Sequence, residues 1–338
     1  MDQTCQVLID LLKKSLWGTE LPDYTTLVEP VDWTAVFTEA KNQSVASLAY
    51  PAIPDDVPQD LRDKWESYSD KLRVRYHHVL AAQDELLDLL SRNNIPAVIL
   101  KGAAAAVYYP SPSRRSMGDI DLLVPQDLYD KAEELLKTSG YIMVHDRSEN
   151  PRHSMFAKGG INFELHHHFS HDGIDIEEYL IDGLDHPVTE KIDGHQFPML
   201  PSLPNGLVLL DHMRSHLVAS GMGLRQVIDW MMYVNTVLND DYWNNSFMAV
   251  IKEKELYTLA IVATKMCIHY LGLPSTITWC YEADDSLCTD LINYIFSSGN
   301  FGRKKRRRGQ NRDRHNSHAP QRHIPQASTC RRIQLESI

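Results

Sequence analysis

The chain has 338 residues, 43% of them apolar, enough for a substantial core and for two or three packed units. Its net charge of −11 is unevenly spread: residues 303–338 hold 11 Lys and Arg against two acids, so the tail is +9 and the rest −20. An acidic body weighs against a broad nucleic-acid surface. The opening MDQTCQVLIDLLKKSLWG lacks a basic start followed by an apolar block, and no stretch reaches the roughly 20 apolar residues of a bilayer span, so a soluble, cytoplasmic protein is expected.

Residues 1–75 give helical spacing, as in Val7, Leu8, Leu11 and Leu12, broken by Pro22, Pro30, Pro51, Pro54 and Pro58. Short helices joined by turns are predicted there, as an N-terminal helical region. From Tyr76 to Asn94 an apolar stripe through Val79, Leu80, Leu86, Leu87 and Leu90 predicts a longer helix, and Ala97 to Leu100 a short buried strand. A helix then spans Ala103 to Tyr109, a strand Asp119 to Val124, and a helix Gln126 to Ser139, stopped by Gly140. Tyr141 to His145, Ser154 to Lys158 and Ile161 to His168 read as strands, the last two joined by the turn pair Gly159-Gly160. The fold class expected for residues 76–200 is a two-layer α+β core with a mixed sheet and helices on one side.

Helical spacing returns over Leu207 to Ala219, Leu224 to Leu238, Trp243 to Lys254, Leu256 to Leu271 and Ser286 to Ser297, a C-terminal helical domain over 203–300. Residues 301–338 have little apolar periodicity and form a basic tail expected to be disordered. Its run Arg303 to Arg308 is open to contact with polyanions or to plain solvation. Five cysteines, Cys5, Cys267, Cys280, Cys288 and Cys330, are odd in number and form no C-x-x-C pair, which suits reduced packing residues.

The most informative stretch is Gly118-Asp119-Ile120-Asp121-Leu122-Leu123-Val124. Strand alternation sends Asp119 and Asp121 to one face and Ile120 and Leu122 to the core. Two carboxylates so placed repel unless a cation lies between them, and hard ions such as Mg²⁺ take carboxylate and phosphate oxygens. In Ile161-Asn162-Phe163-Glu164-Leu165-His166, Glu164 and His166 share the face opposite Phe163 and Leu165. If this strand neighbours the first, Glu164 completes a set of three carboxylates able to hold two metals, and Glu164 or Asp119 can take a hydroxyl proton. For Asp-x-Asp alone, a solvated pair is the competing account.

Lys101 and Arg115 flank this set, either aimed at a triphosphate or in surface ion pairs. Gly102 would admit phosphate to a helix N-terminus. Arg225 and Asp229 share a helix face beside Gly221-Met222-Gly223, as an ordinary ion pair or as part of a nucleotide site. His212 and His216 lie four apart with no third ligand in register, and of His166, His167, His168 and His171 only His166 stands beside an acid on a shared face, where it can touch substrate or metal.

Leu100-Lys101-Gly102-Ala103, Arg115 to Val124, Phe163 to His166 and Gly223 to Trp230 together resemble the polymerase-β-type nucleotidyltransferase superfamily. Within it they are similar to a bacterial group of uncharacterised nucleotidyltransferase-like proteins with a Lys-Gly loop. The resemblance spans about residues 76–235. It implies catalytic and metal-holding roles for Asp119, Asp121 and Glu164, with Mg²⁺ or Mn²⁺ as cofactor. It also implies a nucleoside triphosphate contacted by Lys101, Gly102, Arg115, Gly118, Arg225 and Asp229. The implied reaction moves a nucleoside monophosphate to a hydroxyl of a small molecule, a protein or a tRNA end. That superfamily commonly has Gly-Ser where this chain has Gly102-Ala103, which leaves room for a non-catalytic nucleotide- or partner-binding module. A toxin-like tRNA-modifying enzyme is a further alternative. Relatives tend to continue with helical sequence after a segment like Gly299 to Gly302, so a truncated or frameshifted end would also account for the basic tail.

Overall fold

The computed structural model describes residues 1–149, 151–171 and 173–302, so the basic tail lies outside the described residues. The chain divides into two compact units, residues 71–211 and residues 1–70 with those from 212 onward. The helices before 70 and after 212, read in the sequence as separate regions, therefore belong to one unit.

The N-terminal elements are α1 (Gln3–Trp17), α2 (Trp33–Asn42), α3 (Ala46–Ala49) and α4 (Gln59–Arg92). The Asp2 carboxylate caps α1 by accepting from the Cys5 N–H at 2.9 Å, and Gly18 in the left-handed region ends it. The predicted helix from Tyr76 is the second half of α4, which begins at Gln59. Its first half looked irregular because it is largely polar; Leu61, Trp65 and Ser69 are nonetheless buried at four-residue spacing.

The following unit builds β1 (Val98–Leu100), α5 (Gly102–Ala106), β2 (Ile120–Leu123), α6 (Tyr129–Thr138), β3 (Ile142–His145), β4 (His153–Lys158), β5 (Ile161–His166), α7 (Glu177–Asp185), β6 (Val188–Ile192) and β7 (His195–Met199). The strands form one mixed sheet in the order β3-β4-β5-β2-β1-β7-β6. β2 runs parallel to β5 and antiparallel to β1, while β1 runs parallel to β7. Its core joins Ile99, Ile120, Leu122, Phe163 and Leu165 of the sheet to Val79, Leu80, Leu86 and Leu90 of α4, the alanines of α5, and Tyr129, Ala132 and Leu136 of α6. The α+β core expected from periodicity is present. The hairpin β6–β7 escaped the reading, although its loop Asp193-Gly194, with φ 46° and 93°, is a common two-residue hairpin turn.

The division between units falls within α4 and within α8 (Ser202–Ser215). Beyond it lie α9 (Leu224–Val237), α10 (Asp240–Tyr242), α11 (Met248–Glu253), α12 (Tyr257–Met266) and α13 (Asp285–Ser298), with π turns over His216–Ser220, Trp243–Phe247 and Cys267–Leu271. N- and C-terminal helices of this unit are tied by Trp17 Nε1 donating to Leu271 O at 2.7 Å and Gln43 Nε2 donating to Ile295 O at 3.1 Å. Among the described residues, Cys5, Cys267, Cys280 and Cys288 are buried and form no disulfide. Burial pushes Cys288 up to about 11 and Cys280 up to about 12, which leaves both as inert packing groups. No described helix is long and apolar enough to cross a membrane.

Candidate active site

The parallel pairing of β2 and β5 sets Asp121 opposite Glu164 in register, and the antiparallel pairing with β1 sets Asp121 opposite Leu100. Asp119 lies one residue before β2. One ligand atom each from Asp119, Asp121 and Glu164 falls within 4.8 Å of the others, so the three carboxylates meet. Their surroundings differ: Asp119 is exposed, Glu164 is half-buried and Asp121 is only 3% exposed. The simple alternation expected of β2 is lost in burial, because the side bearing Asp121 is covered as well as the core side.

What covers Asp121 is cationic. Lys101 Nζ donates to Asp121 Oδ1 at 2.7 Å, and His166 Nε2 lies 3.3 Å from Asp121 Oδ1 and 3.3 Å from Glu164 Oε2. The repulsion that seemed to demand a metal is therefore already offset inside the protein at Asp121. Burial opposes the charge on Lys101, but Asp121, Glu164 and Asp119 outweigh it and hold its pKa above the ordinary lysine value. Burial likewise disfavours a charged His166, and its hydrogen bonds to Asp121 and Glu164 overcome that penalty, raising its pKa. Burial pushes the Glu164 carboxyl up; the His166 hydrogen bond and the Lys101 ammonium prevail and hold it well below the usual carboxylate range.

Lys101 reaches this position from an unusual backbone. It joins β1 to α5 with φ 49° and ψ −142°, a region that side chains other than glycine rarely enter and that costs on the order of 1–3 kcal/mol. Its ammonium also lies 5.3 Å from the centroid of the Phe169 ring. Gly102 follows with φ 40°, and a Cβ there would stand 3.9 Å from the Asp119 carbonyl oxygen, so the Lys-Gly turn runs close beside the start of β2. The helix it opens has five residues, with Ala103 buried.

Arg115 is buried rather than a surface ion-pairing residue, at the end of the 3₁₀ turn Pro112–Arg114. Gly118 is exposed, its carbonyl accepts from Arg75 Nη2 at 2.6 Å, and nothing lies within 4 Å of the place a Cβ would take. Arg225 and Asp229 belong to the helical unit, not to the unit that carries the carboxylates. There the loop Gly221-Met222-Gly223 packs on the 300–302 turn: a Cβ on Gly223 would meet Asn300 Cβ at 2.7 Å and Cα at 2.8 Å. The same region is laced by Gln226 Nε2 donating to Asn300 Oδ1 at 2.7 Å. His212 and His216 place their Nε2 atoms 2.9 Å apart. His171 Nδ1 lies 2.8 Å from Asp211 Oδ2, and His168 is 3.5 Å from Glu177, so neither stands with His166.

The reading of the sequence missed His153. It is the first residue of β4, pairs with His166 across the hairpin, and its ring centroid lies 4.6 Å from that of His166. His153, Glu164 and His166 also bring one ligand atom each within 4.8 Å of the others. Burial, reinforced by the neighbouring His166, pushes His153 down to about 4, so it is neutral near pH 7. The signal was present: with Gly159-Gly160 as a two-residue loop, counting outward pairs 158 with 161 and so 153 with 166.

Residues 29–272 match the model of a family described as uncharacterised nucleotidyltransferase, and the chain belongs to that family. No curated protein matches at a significant level. Among solved structures, similarity extends to the solution structure of the antibiotic-resistance factor ANT(2'')-Ia, at 13% identity and TM-score 0.40 over 52% of this chain and 91% of that one. The crystal structure of ANT(2'')-Ia with adenylyl-2''-tobramycin gives 13% identity and TM-score 0.39, over 52% and 97%. An antigenic nucleotidyltransferase-like protein from Paracoccidioides brasiliensis gives 16% identity and TM-score 0.33, over 57% and 92%.

Proposed function

We propose that this member of the uncharacterised nucleotidyltransferase family moves a nucleoside monophosphate from a nucleoside triphosphate to an acceptor hydroxyl, with Asp119, Asp121 and Glu164 holding Mg²⁺ or Mn²⁺. The observation that carries the reading is the meeting of three carboxylates from the start of β2 and from its parallel neighbour β5, within 4.8 Å of one another. The donor set fits such an ion, since all three ligands are carboxylates, the hard oxygen donors these cations prefer. A cation bound there would neutralise phosphate charge and make an acceptor hydroxyl a better nucleophile.

The protein's own groups divide the remaining work. Asp119, being exposed, gives the site its access to solvent and to the triphosphate. Glu164 is held ionised by His166 and Lys101, while Asp119, exposed and facing solvent, is the carboxylate placed to take the hydroxyl proton. Lys101 supplies a buried cation beside the carboxylates, suited to charge that develops on departing pyrophosphate. A small molecule or a protein hydroxyl suits the acceptor better than a tRNA end, because residues 1–302 carry a net −20.

Binding without turnover is the second reading, favoured by Ala103 after the Lys-Gly turn and by the seating of Lys101 on Asp121. Incubation with each labelled triphosphate and Mg²⁺ or Mn²⁺ separates the two. Metal-dependent pyrophosphate release, lost in Asp119→Asn, supports transfer; saturable triphosphate binding with no release from any of the four supports the binding module.

A further inference from the structure

We propose that Lys101 is the resident counter-ion of the carboxylate site and that a divalent metal must displace its ammonium from Asp121 to bind. The inference rests on the metal-holding role given to Asp119, Asp121 and Glu164 and adds a competition that governs it. Asp121 Oδ1 already serves two donors, Lys101 Nζ at 2.7 Å and His166 Nε2 at 3.3 Å, and the carboxylate is 3% exposed. A metal that takes an Asp121 oxygen enters a pocket where a fixed cation already neutralises that ligand. Like charges a few ångströms apart in a poorly solvated site repel strongly, so the ammonium and the metal exclude each other.

Two further observations fit a lysine that yields. Its backbone, φ 49° and ψ −142°, is in a region costly for a residue other than glycine, so a shift of Lys101 away from Asp121 can relieve strain. The Phe169 ring, 5.3 Å from Nζ, keeps a favourable face toward the ammonium when Asp121 is given up to metal. A lysine is suited to this exchange: its compact ammonium on a flexible stem moves where an arginine fork would stay clamped. Displaced from Asp121, the ammonium becomes available to triphosphate oxygens, so metal entry and phosphate capture are linked.

The test uses Mn²⁺ alone, without nucleotide, and the full-length protein. Titration calorimetry of wild type, Lys101→Met and Lys101→Arg should give Mn²⁺ binding tighter in Lys101→Met by at least roughly tenfold, the factor set by about 1.4 kcal/mol. Lys101→Arg, which keeps the charge on a side chain that yields less readily, should bind Mn²⁺ no more tightly than wild type. Equal or weaker binding in Lys101→Met, or no Mn²⁺ binding to either protein, overturns the proposal. Should Lys101→Met fail to fold, wild type suffices: the ¹⁵Nζ resonance of Lys101, identified by its absence in Lys101→Arg, should move as Mg²⁺ is added. A resonance unchanged through saturating Mg²⁺ overturns it equally. Either failure leaves metal-dependent pyrophosphate release untouched, so the transfer reading stands or falls separately.

Discussion

Two buried polar clusters, one in each unit, are built on opposite plans. Around Gly223 amides predominate: Gln226 Oε1 accepts from Gly223 N–H, Gln226 Nε2 donates to Asn300 Oδ1, Asn300 Nδ2 donates to Ser44 Oγ, Gln43 Oε1 accepts from Leu224 N–H, and a single carboxylate, that of buried Glu39, accepts from Gln43 Nε2. Donors and acceptors are matched and mostly buried, and they tie together segments distant in sequence, the signature of a polar network that fixes a fold. Around Asp121 the groups are charged, three acids against Lys101 and His166, with Asp119 exposed and the Nδ1 of His166 buried without a partner among the described residues. Charge left crowded and reachable is what a site for an anionic, metal-bearing substrate requires.

The sharpest way to break this contrast is Asp119→Asn. Pyrophosphate release should fall roughly thousandfold, about 4 kcal/mol of transition-state stabilisation, while chemical unfolding moves by less than about 0.5 kcal/mol because the side chain is exposed. A comparable loss of stability would show that Asp119 holds structure. Gly223→Ala should do the reverse. Its Cβ meets Asn300 backbone at 2.8 Å, so urea unfolding should show a loss of about 2–3 kcal/mol.

A smaller effect is expected from Gln226→Leu, which leaves Gly223 N–H and Asn300 Oδ1 buried without their partner at a cost of about 1–2 kcal/mol, read by the urea midpoint. Smallest of all is Gly118→Ala. Nothing lies within 4 Å of the added Cβ and the residue is exposed, so stability should hold within about 0.5 kcal/mol. A large loss there would restore the glycine of Gly-Asp-Ile-Asp to a steric role that the geometry denies it.

What could be read in the sequence was local. Period-two spacing located β2 and β5 within two residues at each end, the pair Gly159-Gly160 marked their neighbouring hairpin, and helical spacing found α6, α9 and α13. Alternation also put Glu164 and His166 on one face, where the structure has them 3.3 Å apart. That β2 and β5 are parallel neighbours, with 121 opposite 164, follows from a crossover that no local pattern encodes. The same holds for Lys101, whose partner lies 20 residues on and whose positive φ no preference of lysine predicts. His153 is the opposite case, within reach of hairpin counting and overlooked because the strand was begun one residue late. The nucleotide role of Arg225 and Asp229 came from resemblance, with no local pattern in the sequence to carry it.

The claim on which the rest depends is that the three carboxylates hold a metal against a triphosphate. Calorimetry of each nucleoside triphosphate with the wild-type protein, in excess Mg²⁺ and again in excess chelator, tests it most directly. Triphosphate and carboxylates are both anionic, so binding should be measurable with Mg²⁺ and fall at least roughly hundredfold, about 2.7 kcal/mol, in chelator. Equal affinity in the two conditions would contradict the account.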